Sequence, residues 1–169
     1  AVPTARNIFS VALPSDMLIG QDNPMINGPG KRERENLWRL LEMARDEDLG
    51  SGDLTSAILP PELQAVGRFV ARQEVVACGV ALLEPIAAAY DGELRTTPKV
   101  DDGQAVNAGT PLAVWEGPAR GMMAAERVAL NFLQRLSGVA TTTRQYVQAV
   151  KGTAAGLYDT RKTTPGWRE

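Results

Sequence analysis

Residues 118–136 constrain this chain more than any other stretch. Met122, Ala125, Ala129, Phe132, Leu133 and Leu136 recur three or four positions apart and so fall on one face of a helix. Pro118 suits the opening, because its fixed φ and missing N–H cost nothing at a helix start. A helix with one apolar stripe must bury that stripe against another layer. The preceding residues supply one. Residues 93–116 read as short strands joined by turns at Asp91-Gly92, Asp102-Gly103 and Ala108-Gly109. Residues 65–76 alternate with period two, Val66, Arg68, Val70 and Arg72 against Gly67, Phe69 and Ala71, which suits one half-buried strand. The expected fold class is α/β, a small sheet with helices on it.

Two further helices flank this sheet in sequence. Leu37, Leu40, Leu41 and Ala44, with Trp38 beside them, predict an amphipathic helix over residues 31–47, ended by Gly50-Ser51-Gly52-Asp53. Asp53 or Thr55 is placed to cap the local turn that follows. Residues 80–90 suit a short helix, provided Pro85 sits near its first turn. Downstream, Gly138 is read as an interruption of the long helix. Thr141 to Thr143 suit a restart, and Tyr146, Val147 and Val150 form the apolar face of a second helix ending near Gly152. Residues 154–158 then have the length and bounds of a buried strand. A helix leading to a strand that ends in Asp-Thr-Arg-Lys-Thr suggests the opening of a βα barrel, where functional groups gather at strand C-terminal ends. Residues 1–30, with Gly20, Pro24, Gly28, Pro29 and Gly30 and no sustained period, read as an arm.

Composition narrows the chemistry. Cys78 is the single cysteine and histidine is absent, so an internal disulfide, the usual zinc sites and histidine-based triads are excluded within these residues. A net charge of −2 gives no general attraction to nucleic acid or to an anionic membrane. No stretch reaches the roughly 18 apolar residues of a membrane span, and the N-terminus lacks the pattern of a secretory signal, so the expected location is cytoplasmic. Cys78, beside Val75, Val76 and Ala77, reads as a small buried hydrophobe.

Anion recognition must then come from local basic clusters, and two stand out. Asp159-Thr160-Arg161-Lys162-Thr163 places a carboxylate, hydroxyls and two adjacent cations together. Arginine grips a carboxylate or phosphate through two parallel hydrogen bonds, and lysine adds a mobile point charge. By composition alone, a solvated charge pair on a loop is the commoner explanation. Arg127 shares a polar helix stripe with Asn131 and Gln134. From the residues alone an ordinary exposed face, with Glu126 or Glu116 pairing nearby, is the default.

A resemblance changes both balances. The run Glu126-Arg127-Val128-Ala129-Leu130-Asn131-Phe132-Leu133-Gln134-Arg135-Leu136-Ser137-Gly138-Val139-Ala140-Thr141, followed by Asp159-Thr160-Arg161-Lys162-Thr163-Thr164-Pro165-Gly166, resembles the paired signature of quinolinate phosphoribosyltransferases. Glu47-Asp48-Leu49-Gly50-Ser51-Gly52-Asp53-Leu54-Thr55-Ser56 is also similar to the family's segment after its first helix. The likeness begins near Arg34 and reaches the last residue.

The resemblance implies an N-terminal α/β sandwich followed by an incomplete α/β barrel, with active sites shared across a homodimer. Mapped here, residues 1–30 are the arm, 31–137 the sandwich with its long helix, and 138–169 the start of the barrel. The implied reaction joins quinolinate to phosphoribosyl pyrophosphate and releases pyrophosphate and carbon dioxide. It yields nicotinate mononucleotide for NAD synthesis, with magnesium (Mg2+) accompanying the pyrophosphate. By position, Arg127 matches the arginine lent to the partner subunit's quinolinate site, and Thr160, Arg161 and Lys162 match the substrate-binding run of the barrel's first strand. The family's later basic, glycine-rich and acidic motifs fall beyond Glu169. These residues alone are therefore expected to be inactive, and a second polypeptide or a missing remainder is expected to supply the rest of the barrel.

Three alternatives compete. Residues 100–112 resemble the turn-rich half of biotinyl and lipoyl carrier domains, yet residues 113–120 hold no lysine for attachment. A second is a related phosphoribosyltransferase acting on nicotinate, which gives no reason for a cation at Arg127. A third is an inactive structural remnant.

Overall fold

The computed structural model describes residues 31–50, 52–164 and 167. The arm expected over residues 1–30 lies outside them, as does the side chain of Thr55. Residues Trp38–Thr142 form one compact unit, and the remaining described residues belong to a second. Each is taken by itself.

In the larger unit, helix α1 (Lys31–Leu49) contributes its later turns. Leu41 is fully buried while Leu40 and Ala44 are partly so, the stripe its spacing predicts. The helix stops where Gly50 enters the left-handed region (φ 50°) and donates its N–H to the Asp46 carbonyl at 3.1 Å. A four-residue helix α2 (Leu54–Ala57) follows, capped as expected by Asp53, whose Oδ1 accepts the Ser56 N–H at 3.2 Å.

Strand β1 (Gln64–Val70) turns Ala65, Gly67 and Phe69 inward and Val66, Arg68 and Val70 outward. The strand expected over residues 65–76 is in fact two. Pairing slips between Phe69 and Val70, the chain bends through residues 72–74, and β2 (Val75–Val76) joins a different sheet. A 3-10 turn at Val80–Leu82 leads into α3 (Leu83–Tyr90), with Pro85 inside the first turn, where an N–H has no helical partner anyway. Strands β3 (Arg95–Pro98), β4 (Ala105–Val106) and β5 (Pro111–Pro118) complete the set. Sheet one is antiparallel in the order β1-β5-β3, and β2 pairs with β4 in the second. Gly103 and Gly109, at φ 88° and 85°, make the predicted turns.

Gly67, Trp115 and Thr96 stand opposite one another on β1, β5 and β3. Trp115 is 1% exposed and meets Phe69 edge to face, their ring centroids 4.8 Å apart. A Cβ at Gly67 would stand 2.7 Å from Met122 Sδ, so the bare glycine leaves room for this side chain of α4 (Ala119–Val150) against the sheet. Ala125, Val128, Ala129, Phe132 and Leu133 form the buried stripe of α4. The α/β class expected from the sequence is what the chain adopts. The segment that resembles a carrier domain becomes β4 and the start of the central strand β5.

Helix α4 differs from expectation in one respect: its 32 residues run without a break at Gly138. An interior glycine costs only about 1 kcal/mol. The hydroxyls read as a restart cap instead bond back into the same helix, Thr141 to the Ser137 carbonyl at 2.7 Å and Thr142 to that of Gly138 at 2.9 Å. In the smaller unit α4 ends close to Gly152, at φ 82°, as anticipated. Tyr146 and Val147 are 60% and 43% exposed. Residues 154–158 form no strand. A strand exists only through its neighbours' hydrogen bonds, and among the described residues no strand pairs with this segment. Among the described residues no helix is long and apolar enough to cross a membrane.

Candidate functional site

Arg127 leaves the polar side of α4 with its side chain 69% exposed, and Asn131 and Gln134 are exposed along the same stripe. Its partner is neither Glu126 nor Glu116. Nη1 donates to Asp48 Oδ1 at 2.8 Å, joining residues 79 apart in sequence. Asp48 lies in the last turn of α1, where the helix dipole disfavours a carboxylate by about 0.3–1 kcal/mol. With its side chain only 12% exposed, Asp48 is also partly stripped of water. Both effects make the guanidinium a preferred neighbour.

Tyr90 and Arg45 complete the surroundings. The Tyr90 hydroxyl is buried and lacks a partner in hydrogen-bonding geometry. Burial, followed by the Asp48 charge, pushes its pKa up to about 12, although Arg45 and Arg127 pull the other way. Arg45 donates from Nη1 to the Ala89 carbonyl at 3.0 Å, placing a cation at the C-terminal end of α3, and pairs with Asp46 at 2.9 Å. Asp48, Tyr90 and Arg45 were not singled out by the sequence. Asp48 does fall within the quoted run of residues 47–56, but nothing local marks its partner.

Beside Arg127 a recess of ≈ 280 Å³ is lined by Asp48, Leu49, Gly52, Asp53, Met123, Ala124 and Glu126. Three carboxylates against one guanidinium make it a poor host for an anion. Arg127, in contrast, keeps Nε and Nη2 without a hydrogen-bond partner among the described residues, a free pair of donors suited to one carboxylate.

Thr160, Arg161 and Lys162 belong to the smaller unit and follow an irregular stretch in place of the strand end expected for them. Thr160 is half-buried and its Oγ1 accepts the Lys162 N–H at 3.3 Å, while Arg161 and Lys162 are exposed. This local hydroxyl-to-backbone turn shapes the backbone that carries the two cations. Among the described residues no three or more histidines, cysteines, aspartates or glutamates gather as metal ligands. Cys78 is half-buried, and its pKa is raised by burial and by the Asp102 charge, against the Gly79 backbone.

Comparison with known proteins gives consecutive matches. Residues 53–137 match the family described as quinolinate phosphoribosyl transferase, N-terminal domain, and residues 139–169 match its C-terminal domain. The chain is 38% identical over 132 residues to a Bacillus subtilis (strain 168) protein named probable nicotinate-nucleotide pyrophosphorylase (carboxylating), covering 78% of this chain and 46% of that protein. It is 37% identical over 135 residues to the Nicotiana glauca quinolinate phosphoribosyltransferase (decarboxylating) 2, mitochondrial, covering 79% and 38%. The solved nicotinate-nucleotide pyrophosphorylase from Francisella tularensis superposes with a TM-score of 0.76 at 30% identity, over 83% of this chain and 49% of that one. The chain thus spans less than half the length of these relatives.

Proposed function

The chain belongs to the quinolinate phosphoribosyltransferase family, and from that membership we propose that its protein transfers a phosphoribosyl group from phosphoribosyl pyrophosphate to quinolinate, with loss of carbon dioxide, to give nicotinate mononucleotide. The observation that carries this reading is the pair of adjacent family matches, which meet within α4. The same meeting point supports assigning residues 31–137 to the sandwich and 138–169 to the start of the barrel.

Arg127 is the quinolinate-binding group lent to a partner subunit, in a homodimer with shared sites. Its outward exposure and its two unused donors support this, because the acidic recess beside it repels a dianion. Thr160, Arg161 and Lys162 bind substrate from the barrel side. Quinolinate carries two adjacent carboxylates, and a dianion leaves water only where several fixed donors replace its hydration. Cations near the ring also stabilise the charge left on it as carbon dioxide departs. Magnesium would accompany the donor's pyrophosphate and offset its charge. A cytoplasmic location is part of the same proposal.

The test uses the purified protein with any polypeptide that copurifies, supplied with phosphoribosyl pyrophosphate, magnesium and either quinolinate or nicotinate. Release of carbon dioxide in step with nicotinate mononucleotide from quinolinate is expected. Turnover of nicotinate but not quinolinate overturns the assignment.

A further inference from the structure

We propose that Asp48 is a positioning residue, holding the Arg127 guanidinium so that its remaining edge is presented outward to a substrate carboxylate. The proposal rests on the reading of Arg127 as a quinolinate-binding group.

An exposed arginine is a floppy ligand, with about 2 kcal/mol of rotamer entropy to lose when it is fixed. A bond made before the substrate arrives removes part of that loss from the binding step. The Asp48 contact has the properties this needs. It engages Nη1 at 2.8 Å and leaves Nε and Nη2 unbonded among the described residues, so one nitrogen anchors and the opposite edge remains for a two-point grip.

Most surface ion pairs hold nothing in place, because both partners are solvated and mobile. This pair is asymmetric. The Asp48 side chain is 12% exposed and rooted in the closing turn of α1, whereas that of Arg127 is 69% exposed. A carboxylate so placed has less room to move than the guanidinium, which reaches it from the exposed side of α4. The buried Tyr90 hydroxyl faces the same carboxylate as a neutral group, which leaves the Asp48 charge to Arg127. The opposite role, in which Asp48 sequesters Arg127 from substrate, predicts the opposite sign in the same measurement.

The experiment compares Asp48→Asn, Asp48→Glu, Arg127→Ala and the double variant Asp48→Asn/Arg127→Ala, using the purified protein with any copurifying polypeptide. Steady-state kinetics and direct quinolinate binding by calorimetry are both recorded. Asp48→Asn is expected to raise KM and Kd for quinolinate about tenfold, leaving kcat and the KM for phosphoribosyl pyrophosphate within about twofold. Asp48→Glu should recover part of the loss, and Asp48→Asn should add less than about twofold once Arg127 is gone. Unchanged quinolinate affinity in Asp48→Asn, while Arg127→Ala weakens it, overturns the positioning role alone. Tighter binding in Asp48→Asn identifies sequestration and also overturns it. If Arg127→Ala leaves affinity unchanged, or the unaltered protein does not bind quinolinate, the underlying functional reading fails.

Discussion

Ser137 of α4 and Cys78 after β2 exchange two hydrogen bonds: the Ser137 hydroxyl accepts the Cys78 N–H at 3.0 Å and donates to the Cys78 carbonyl at 3.1 Å. One turn further along α4, Thr141 Oγ1 accepts the Val76 N–H at 2.9 Å. β2 is only two residues long, and these hydroxyls take the place of a strand on its open side, satisfying backbone groups that burial would otherwise leave unpaired. Ser137→Ala strips both partners at Cys78 at once. A loss of about 1–3 kcal/mol is expected, from the desolvation penalty of orphaned buried groups. Denaturant unfolding measures it, and a loss below about 0.5 kcal/mol would show that these bonds carry little net stability.

Tyr90 sets an alkaline limit. Its pKa is pushed up to about 12 by burial and by Asp48, whereas an unfolded chain returns it to about 10. The sign follows from linkage: the folded state holds this proton more tightly, so the contribution to stability is complete below pH 10 and disappears as pH rises through 12. In Tyr90→Phe this part of the alkaline destabilisation should be absent, and the late tyrosinate absorbance step near pH 12 should go with it. Spectrophotometric titration and thermal melts between pH 8 and 12 check both, and a late step that survives in Tyr90→Phe assigns the shift elsewhere.

Periodicity and glycine turns made much of the larger unit readable. The 3.6-residue recurrence of Ala125, Ala129, Phe132 and Leu133 located α4, and Gly103 and Gly109 located two turns, because each signal is local. The division of residues 65–76 was not readable, since the bend at Arg72, Gln73 and Glu74 contains neither glycine nor proline. Val75 and Val76 continue the β-forming composition into a different sheet. Gly138 and Thr141 looked like an interruption and a restart because those residue types favour helix ends, and only the contacts of Thr141 with Val76 and with the continuing helix show otherwise. At the candidate site Arg127 was legible through its motif. Asp48 as its partner was not, because a pair 79 residues apart depends on how α1 and α4 come together.

Arg120 ties the first turn of α4 to the end of α2 and the segment after it. Its Nε donates to the Leu59 carbonyl at 2.6 Å and its Nη2 to the Ala57 carbonyl at 3.3 Å. Lysine has a single nitrogen and cannot span two carbonyls in this fork. Arg120→Lys is therefore expected to destabilise the protein by about 1 kcal/mol, and Arg120→Ala by about 2, values typical of lost charge-assisted bonds. Hydrogen exchange at residues 57–63 should rise in both. Exchange matching that of the unaltered protein would refute the tether.

Two glycines flanking the buried stripe of α4 should respond to alanine with opposite signs. Gly138 lies inside the helix, exposed, and a Cβ built there meets nothing within 4 Å. Alanine at this position loses less backbone entropy on folding, so Gly138→Ala should stabilise by about 0.5–1 kcal/mol. Gly117, near the end of β5, sits at φ 144°, and a Cβ there would approach the Glu93 carbonyl oxygen at 3.0 Å and Leu94 Cα at 3.2 Å. Neither atom belongs to a flexible side chain, so relief requires moving the backbone. Gly117→Ala should destabilise by about 1–3 kcal/mol. Thermal unfolding of both variants under one condition checks the pair, and the same sign in both would mean that the helix does not continue through Gly138 or that β5 yields more readily than its contacts indicate.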